Sequence, residues 1–258
     1  MKFVTILIGV FIALFLSSCT ERKKTVTAVE PTIILKDFQT WYAYYNNHIN
    51  LTQDFIAFDS NVKKIDKGSF LQVLSRGGYI PVETGSDDSL PSYKLYKLQP
   101  EADTNIGYCM KTLAYYEYLN YKMEGKQMPD FSFTDVDGKM YNKVNTKDKL
   151  LILKCWFIHC VACVQEMPEL NKVVESYKNR NDILFVSLAS DSKKALKDFL
   201  TKTDFHYAVV PDQRSYMKDS LGLVIFPTHI VVNRDGIIVK VSSNCKNMIS
   251  FLKREALK

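Results

Sequence analysis

Two rhythms run along the chain, and they change place near Met128. Beyond it, short continuous apolar runs alternate with segments whose apolar residues recur every three or four positions. Leu150–Phe157 and Ile183–Ala189 are unbroken runs of strand length, the pattern of strands buried on both faces. Val164–Tyr177 puts Met167, Leu170, Val173, Val174 and Tyr177 on one helical face, and Ser192–Thr201 predicts another helix. Tyr207–Val210 predicts a short strand and Met248–Leu257 a closing helix. Two hairpins are expected: Phe131–Phe133 with Met140–Tyr141 around Asp135-Val136-Asp137-Gly138, and Thr228–Val232 with Ile237–Val241 around Asn233-Arg234-Asp235-Gly236. Strand–helix alternation ending in a hairpin and a helix predicts an α/β domain over 126–258, a mixed sheet flanked by helices.

Residues 32–125 predict a smaller α+β region with less regular spacing. Ile34–Asn46 is helical by its apolar face, Asp54–Asp59 is a candidate strand, and Lys67–Leu74 a short helix. Gly77-Gly78 breaks the chain before an extended Tyr79–Glu83, and the composition of Gly85–Pro91 predicts a turn or loop. Asn105–Glu124 predicts a long helix closed by Gly125, whose Tyr108, Tyr115, Tyr118 and Tyr121 are expected to pack rather than bind a ligand. There is no internal repeat.

The first thirty residues add a compartment. Lys2 precedes an apolar run of 14 residues, Phe3–Leu16, short for a membrane span and suited to a signal-peptide core. Leu16-Ser17-Ser18-Cys19 resembles a bacterial lipobox, which implies a signal peptide over 1–18 and lipidation of Cys19. Residues 19–31 are polar and predict a tether; Thr20 in place of an acid leans towards the outer membrane. The charge of +6 comes from 34 Lys+Arg against 28 Asp+Glu without a basic stripe, so no nucleic-acid partner is expected.

Export places the cysteines in an oxidising setting. Setting Cys19 aside, five of the six remain, and only Cys160 and Cys163 are close. They fall where the Leu150 strand gives way to a helix, whose unpaired first-turn N–H groups favour a thiolate. A spacing of three brings the second sulfur within disulfide reach. C-x-x-C is also half of a zinc site, but no second C-x-x-C or His pair accompanies it, so no metal and no cofactor is expected. Cys155 is expected to be a buried small hydrophobe, while Cys109 and Cys245 are open between free and paired.

Cys155-Trp156-Phe157-Ile158-His159-Cys160-Val161-Ala162-Cys163, Glu166-Met167-Pro168-Glu169-Leu170, and Phe226-Pro227-Thr228 before Asn233-Arg234-Asp235-Gly236 together resemble the TlpA/ResA-like extracytoplasmic thioredoxins. The resemblance implies a thioredoxin-like fold and thiol–disulfide exchange, with Cys160 as an exposed nucleophile and Cys163 as the buried resolving cysteine. It also implies that Pro227 is a cis-proline facing them, that Trp156 buttresses the site, and that Glu166 influences the titration of the cysteines. Partners would be thiols and disulfides of exported proteins, with an upstream membrane electron donor. Lys154 departs from the family, where thioredoxins place a buried acid, so it must snorkel, pair with an acid such as Glu166, or lower a cysteine pKa. His159 replaces the usual bulky residue, and Val161-Ala162 lacks thioredoxin's proline. Two other readings use the same chain: a copper-binding metallochaperone with Cys160, Cys163 and His229, and a binding module centred on the tyrosine-rich N-terminal region.

Overall fold

The computed structural model describes residues 30–87 and 90–257. The predicted leader, Cys19 and nearly all of the tether lie outside the described residues.

The first half holds α1 (Pro31–Ile34), α2 (Phe38–His48), β1 (Ile56–Phe58), β2 (Lys64–Ile65), α3 (Lys67–Arg76), β3 (Tyr79–Asp87), β4 (Leu90–Lys97) and α4 (Thr104–Met123). Its sheet has the order β2-β1-β4-β3, with β1 and β4 parallel and the other pairs antiparallel. The helix expected at Ile34–Asn46 is split, because Asp37 caps a new start: its carboxylate accepts from the Thr40 N–H at 2.8 Å. The turn expected at Gly85–Pro91 is instead mostly strand. Gly85, at φ 119°, sits at a bulge opposite Ser92, and the pairing continues to Asp87 with Leu90. Pro81 is tolerated on an edge strand, and Pro91 lies just outside the stretch of β4 that β1 pairs. On α4 the core face is Ile106, Met110 and Ala114, whereas Tyr108 is 76% exposed and Tyr115 48%, so half of the tyrosine stripe faces solvent.

The second half opens with the hairpin β5 (Ser132–Thr134) and β6 (Met140–Asn142). It continues through β7 (Leu150–Trp156), α5 (Val161–Gln165), α6 (Met167–Ser176), β8 (Ile183–Ala189), α7 (Lys193–Leu200), β9 (Ala208–Val210), a π-helical turn at Tyr216–Ser220, β10 (Thr228–Val232), β11 (Ile238–Ser242) and α8 (Cys245–Glu255). The five-stranded sheet has the order β11-β10-β7-β8-β9; β7, β8 and β9 are parallel, and β10 runs antiparallel to β7. Every residue of the central strand β7 is buried. Leu150, Ile152 and Trp156 face a core shared with α6 and α8, and Leu151, Leu153 and Cys155 face a second core containing Phe133 and Met217. This is the thioredoxin-like mixed sheet flanked by helices.

The halves are stitched together at β11. Gly125 N–H donates to Ile238 O, Ile238 N–H to Lys126 O and Met128 N–H to Gly236 O, so the chain leaving α4 extends the sheet edge.

Candidate active site

Trp156 ends β7, and the chain turns through Phe157-Ile158-His159 into α5. The Ile158 N–H donates to the Asp191 carboxylate at 2.9 Å, which anchors that turn to the end of β8. Cys160 is the N-cap of α5, and its sulfur accepts from the Cys163 N–H at 3.3 Å, so an orphan first-turn donor is spent on sulfur. Cys160 and Cys163 form a disulfide with Cα atoms 5.2 Å apart. Cys163 is fully buried and Cys160 only 8% exposed, less than expected for an attacking thiol, although it remains the more accessible of the two.

The single helix expected over Val164–Tyr177 is broken at Glu166. Pro168 has no N–H to donate, and its ring clashes with the carbonyl of Val164, four residues back, so α5 stops and α6 restarts at Met167. Glu166 stands at this break, one turn beyond Cys163, with its side chain only 11% exposed. Two groups from the sheet converge on the same oxygen. Lys154 Nζ, fully buried on β7, donates to Glu166 Oε1. His229 Nε2, on β10, lies 2.9 Å from that oxygen, at ion-pair distance but without hydrogen-bond alignment. The register that pairs His229 with Lys154 across β10 and β7 puts both side chains on the disulfide side of the sheet. Of the outcomes open to Lys154, the structure shows pairing with Glu166.

Burial alone would push the Glu166 carboxyl up, but His229 and Lys154 outweigh it and hold it below the usual carboxylate range. Burial pushes His229 down despite Glu166, and pushes Lys154 down against the same carboxylate. Cys245, 7% exposed at the start of α8, points its thiol at Glu169 Oε2 (3.6 Å); burial and the carboxylates of Glu166 and Glu169 push it up to about 12.

The other predicted positions are placed as follows. Phe226–Pro227 is a cis peptide bond, and the Phe226 ring meets Phe157 edge-on at 5.7 Å, bringing the proline loop against the disulfide turn. Trp156 is buried between Phe199 (5.5 Å) and Phe205 (5.8 Å), in the core that also holds both disulfide sulfurs. His159 is exposed. Cys109, Cys155 and Cys245 are free thiols in three separate cores. Burial pushes Cys155 up to about 12. His229 is engaged with Glu166, and among the described residues no group of three or more His, Cys, Asp or Glu side chains is placed to hold a metal ion. The sequence suggested His229 only as a copper ligand and missed it as the partner of Glu166; its one signal was a histidine directly before the apolar run Ile230–Val232 of a strand.

Residues 123–247 match the Redoxin family model. The chain is 29% identical over 120 residues to thiol-disulfide oxidoreductase ResA of Bacillus thuringiensis, covering 46% of this chain and 69% of that protein. It is 27% identical over 117 residues to thioredoxin-like protein YneN of Bacillus subtilis, covering 45% of this chain and 68% of that one. Among solved structures, the thioredoxin domain of a thiol-disulfide oxidoreductase from Bacteroides vulgatus aligns at 21% identity with a TM-score of 0.46, over 51% of this chain and 96% of that one. With its disulfide at the end of the central strand and its match to the Redoxin model, the C-terminal half of the chain is similar to the ResA thiol–disulfide oxidoreductases.

Proposed function

We propose that the protein reduces disulfides of exported proteins through a Cys160–Cys163 dithiol. The observation that carries this is the disulfide itself, set at the start of α5 with its more accessible sulfur at the helix cap. In the reduced protein, the Cys160 thiolate attacks one sulfur of a substrate disulfide, forming a mixed disulfide and releasing a substrate thiolate. The Cys163 thiol gives its proton to Glu166, and the new thiolate attacks Cys160 Sγ. The second substrate thiolate leaves and the Cys160–Cys163 disulfide closes. Two electrons have passed to the substrate, and an upstream membrane donor must return them.

Lys154 and His229 act as positioning residues. They keep Glu166 ionised while Cys163 is a thiol, and the neutral imidazole at 2.9 Å can take the proton onward. Pro227 and Trp156 shape the wall and floor of the site. The division at 125/126 assigns this chemistry to 126–258, with 32–125 as an appended α+β region. A lipid on Cys19 would hold the protein at the cell envelope facing the periplasm, with the outer membrane favoured; among the described residues no helix is long and apolar enough to cross a membrane.

Insulin reduction with a chemical donor tests the reading. Cys160→Ser should lose turnover by at least about 10³-fold, and Cys163→Ser should accumulate a mixed disulfide on Cys160. Full turnover by Cys160→Ser would falsify it.

A further inference from the structure

We infer that the two halves jointly form a groove for the substrate polypeptide, and that its occupant is an extended acidic segment with apolar side chains. This rests on the disulfide-exchange reading and names the substrate chemistry. One compartment, of about 330 Å³, opens between Phe157 and Phe226 beside the disulfide turn, with Arg214 and Lys218 on its walls. A second, of about 170 Å³, lies between α4 and the loop Leu221–Ile225 that leads to Pro227. Leu223 lines both, so the two compartments are neighbours, one beside the redox turn and the other against the helix of the N-terminal half.

The lining has one sign of charge. No carboxylate lines either compartment, whereas Lys122, Lys126, Arg214 and Lys218 do. None of the four takes part in an ion pair among the described residues. Acidic side chains complement such a wall, and they also speed encounter at low salt. Asn120 of α4 supplies an independent observation. It lines the second compartment, is only 5% exposed, and its Nδ2 has no hydrogen-bond partner. A buried amide donor left unpaired is costly, and a carbonyl or carboxylate of the occupant would satisfy it. Leu223 and Phe226 line the groove, and Val224, 60% exposed, adds apolar surface at its rim. Cations at both ends with apolar surface between them suit an extended chain, whose successive side chains point to opposite sides.

The test compares kcat/KM for two disulfide-bridged peptides that differ only in flanking residues, Glu and Leu or Lys and Leu, with 2-hydroxyethyl disulfide as a small reference. The full chain should prefer the acidic peptide at least tenfold at low salt. In Lys122→Glu/Lys126→Glu that preference should fall to about threefold or less. Asn120→Leu should raise KM for the acidic peptide severalfold with kcat little changed. Lys193→Glu/Lys194→Glu, with both side chains exposed on α7, should keep the wild-type preference. Equal kcat/KM for the two peptides in the full chain overturns the groove, as does equal loss of preference in the α7 variant, which would reduce the effect to net charge. Turnover of 2-hydroxyethyl disulfide in either case leaves the exchange chemistry standing, whereas no turnover of any of the three substrates refutes the exchange reading itself.

Discussion

Among the described residues, lysine is buried in two places, and the two burials differ in kind. Lys154 lies inside the C-terminal half beneath the disulfide helices, fully buried, and is paired with a carboxylate that it shares with His229. Lys240, 4% exposed, lies where the halves meet; its ammonium donates to the Thr52 carbonyl at 2.8 Å and sits 3.0 Å from Glu124 Oε1. Lys67 reaches the same junction and donates to the carbonyls of Thr52 (2.9 Å) and Gln53 (2.7 Å), with burial pushing it down to about 8. At the junction, backbone oxygens share the charge with the Glu124 carboxylate, and the result is a fixed placement of α4 against β11. Beneath the disulfide, one carboxylate oxygen is contested by an ammonium and an imidazole whose Nδ1 has no partner. Charge burial is costly in both, and the difference lies in whether the partners can exchange protons.

Removing each lysine should separate the two. Lys154→Met leaves the buried Glu166 with one poor partner and should destabilise by about 3–5 kcal/mol in urea, as loss of half of a buried pair does. It also removes a group that holds the Glu166 pKa down, so the acid limb of the reductase pH profile should move to higher pH. Lys154→Met/Glu166→Gln should recover much of the stability without restoring the profile. Lys240→Met should cost less, about 1–3 kcal/mol, with the pH profile unmoved. A shift of that profile in Lys240→Met would erase the distinction between the two sites.

The smallest effect is one of pH. The folded pKa of His229 lies below 6.5, so below that pH the unfolded chain takes up a proton that the buried ring resists. Stability should therefore fall by up to about 1.4 kcal/mol per pH unit below 6.5. Denaturation at pH 7.5 and 5.5 should show the loss, and His229→Gln should flatten it. Glu166 works in a separate window: its depressed pKa contributes stability above 4.5 that is lost only at more acid pH.

Much of the C-terminal fold was legible because its strands are continuous apolar runs between helices with a clear apolar face. The prediction for Ile183–Ala189 coincides with β8, and that for Leu150–Phe157 overshoots β7 by one residue. The first half is less legible. The pairing of β3 with β4 was missed because Gly85 and Pro91 signal a turn locally, while a bulge and an edge position accommodate both within strands. The break at Glu166 was written in Pro168, but the apolar spacing on either side of it masked the break.

The sequence by itself determined the local chemistry: a C-x-x-C where a buried strand meets a helix, a lysine inside that strand, a Phe-Pro ahead of the next hairpin, and a carboxylate one turn beyond the second cysteine. All of these depend on spacings within a few residues, which helix and strand geometry fix. Only the tertiary structure decided that His229 meets Lys154, that both converge on Glu166, and that α4 of the first half walls a groove beside the loop leading to Pro227. Those contacts follow from strand register and from the packing of one half on the other. A one-residue slip of β10 would turn His229 to the opposite face of the sheet, and no local pattern in the chain records that register.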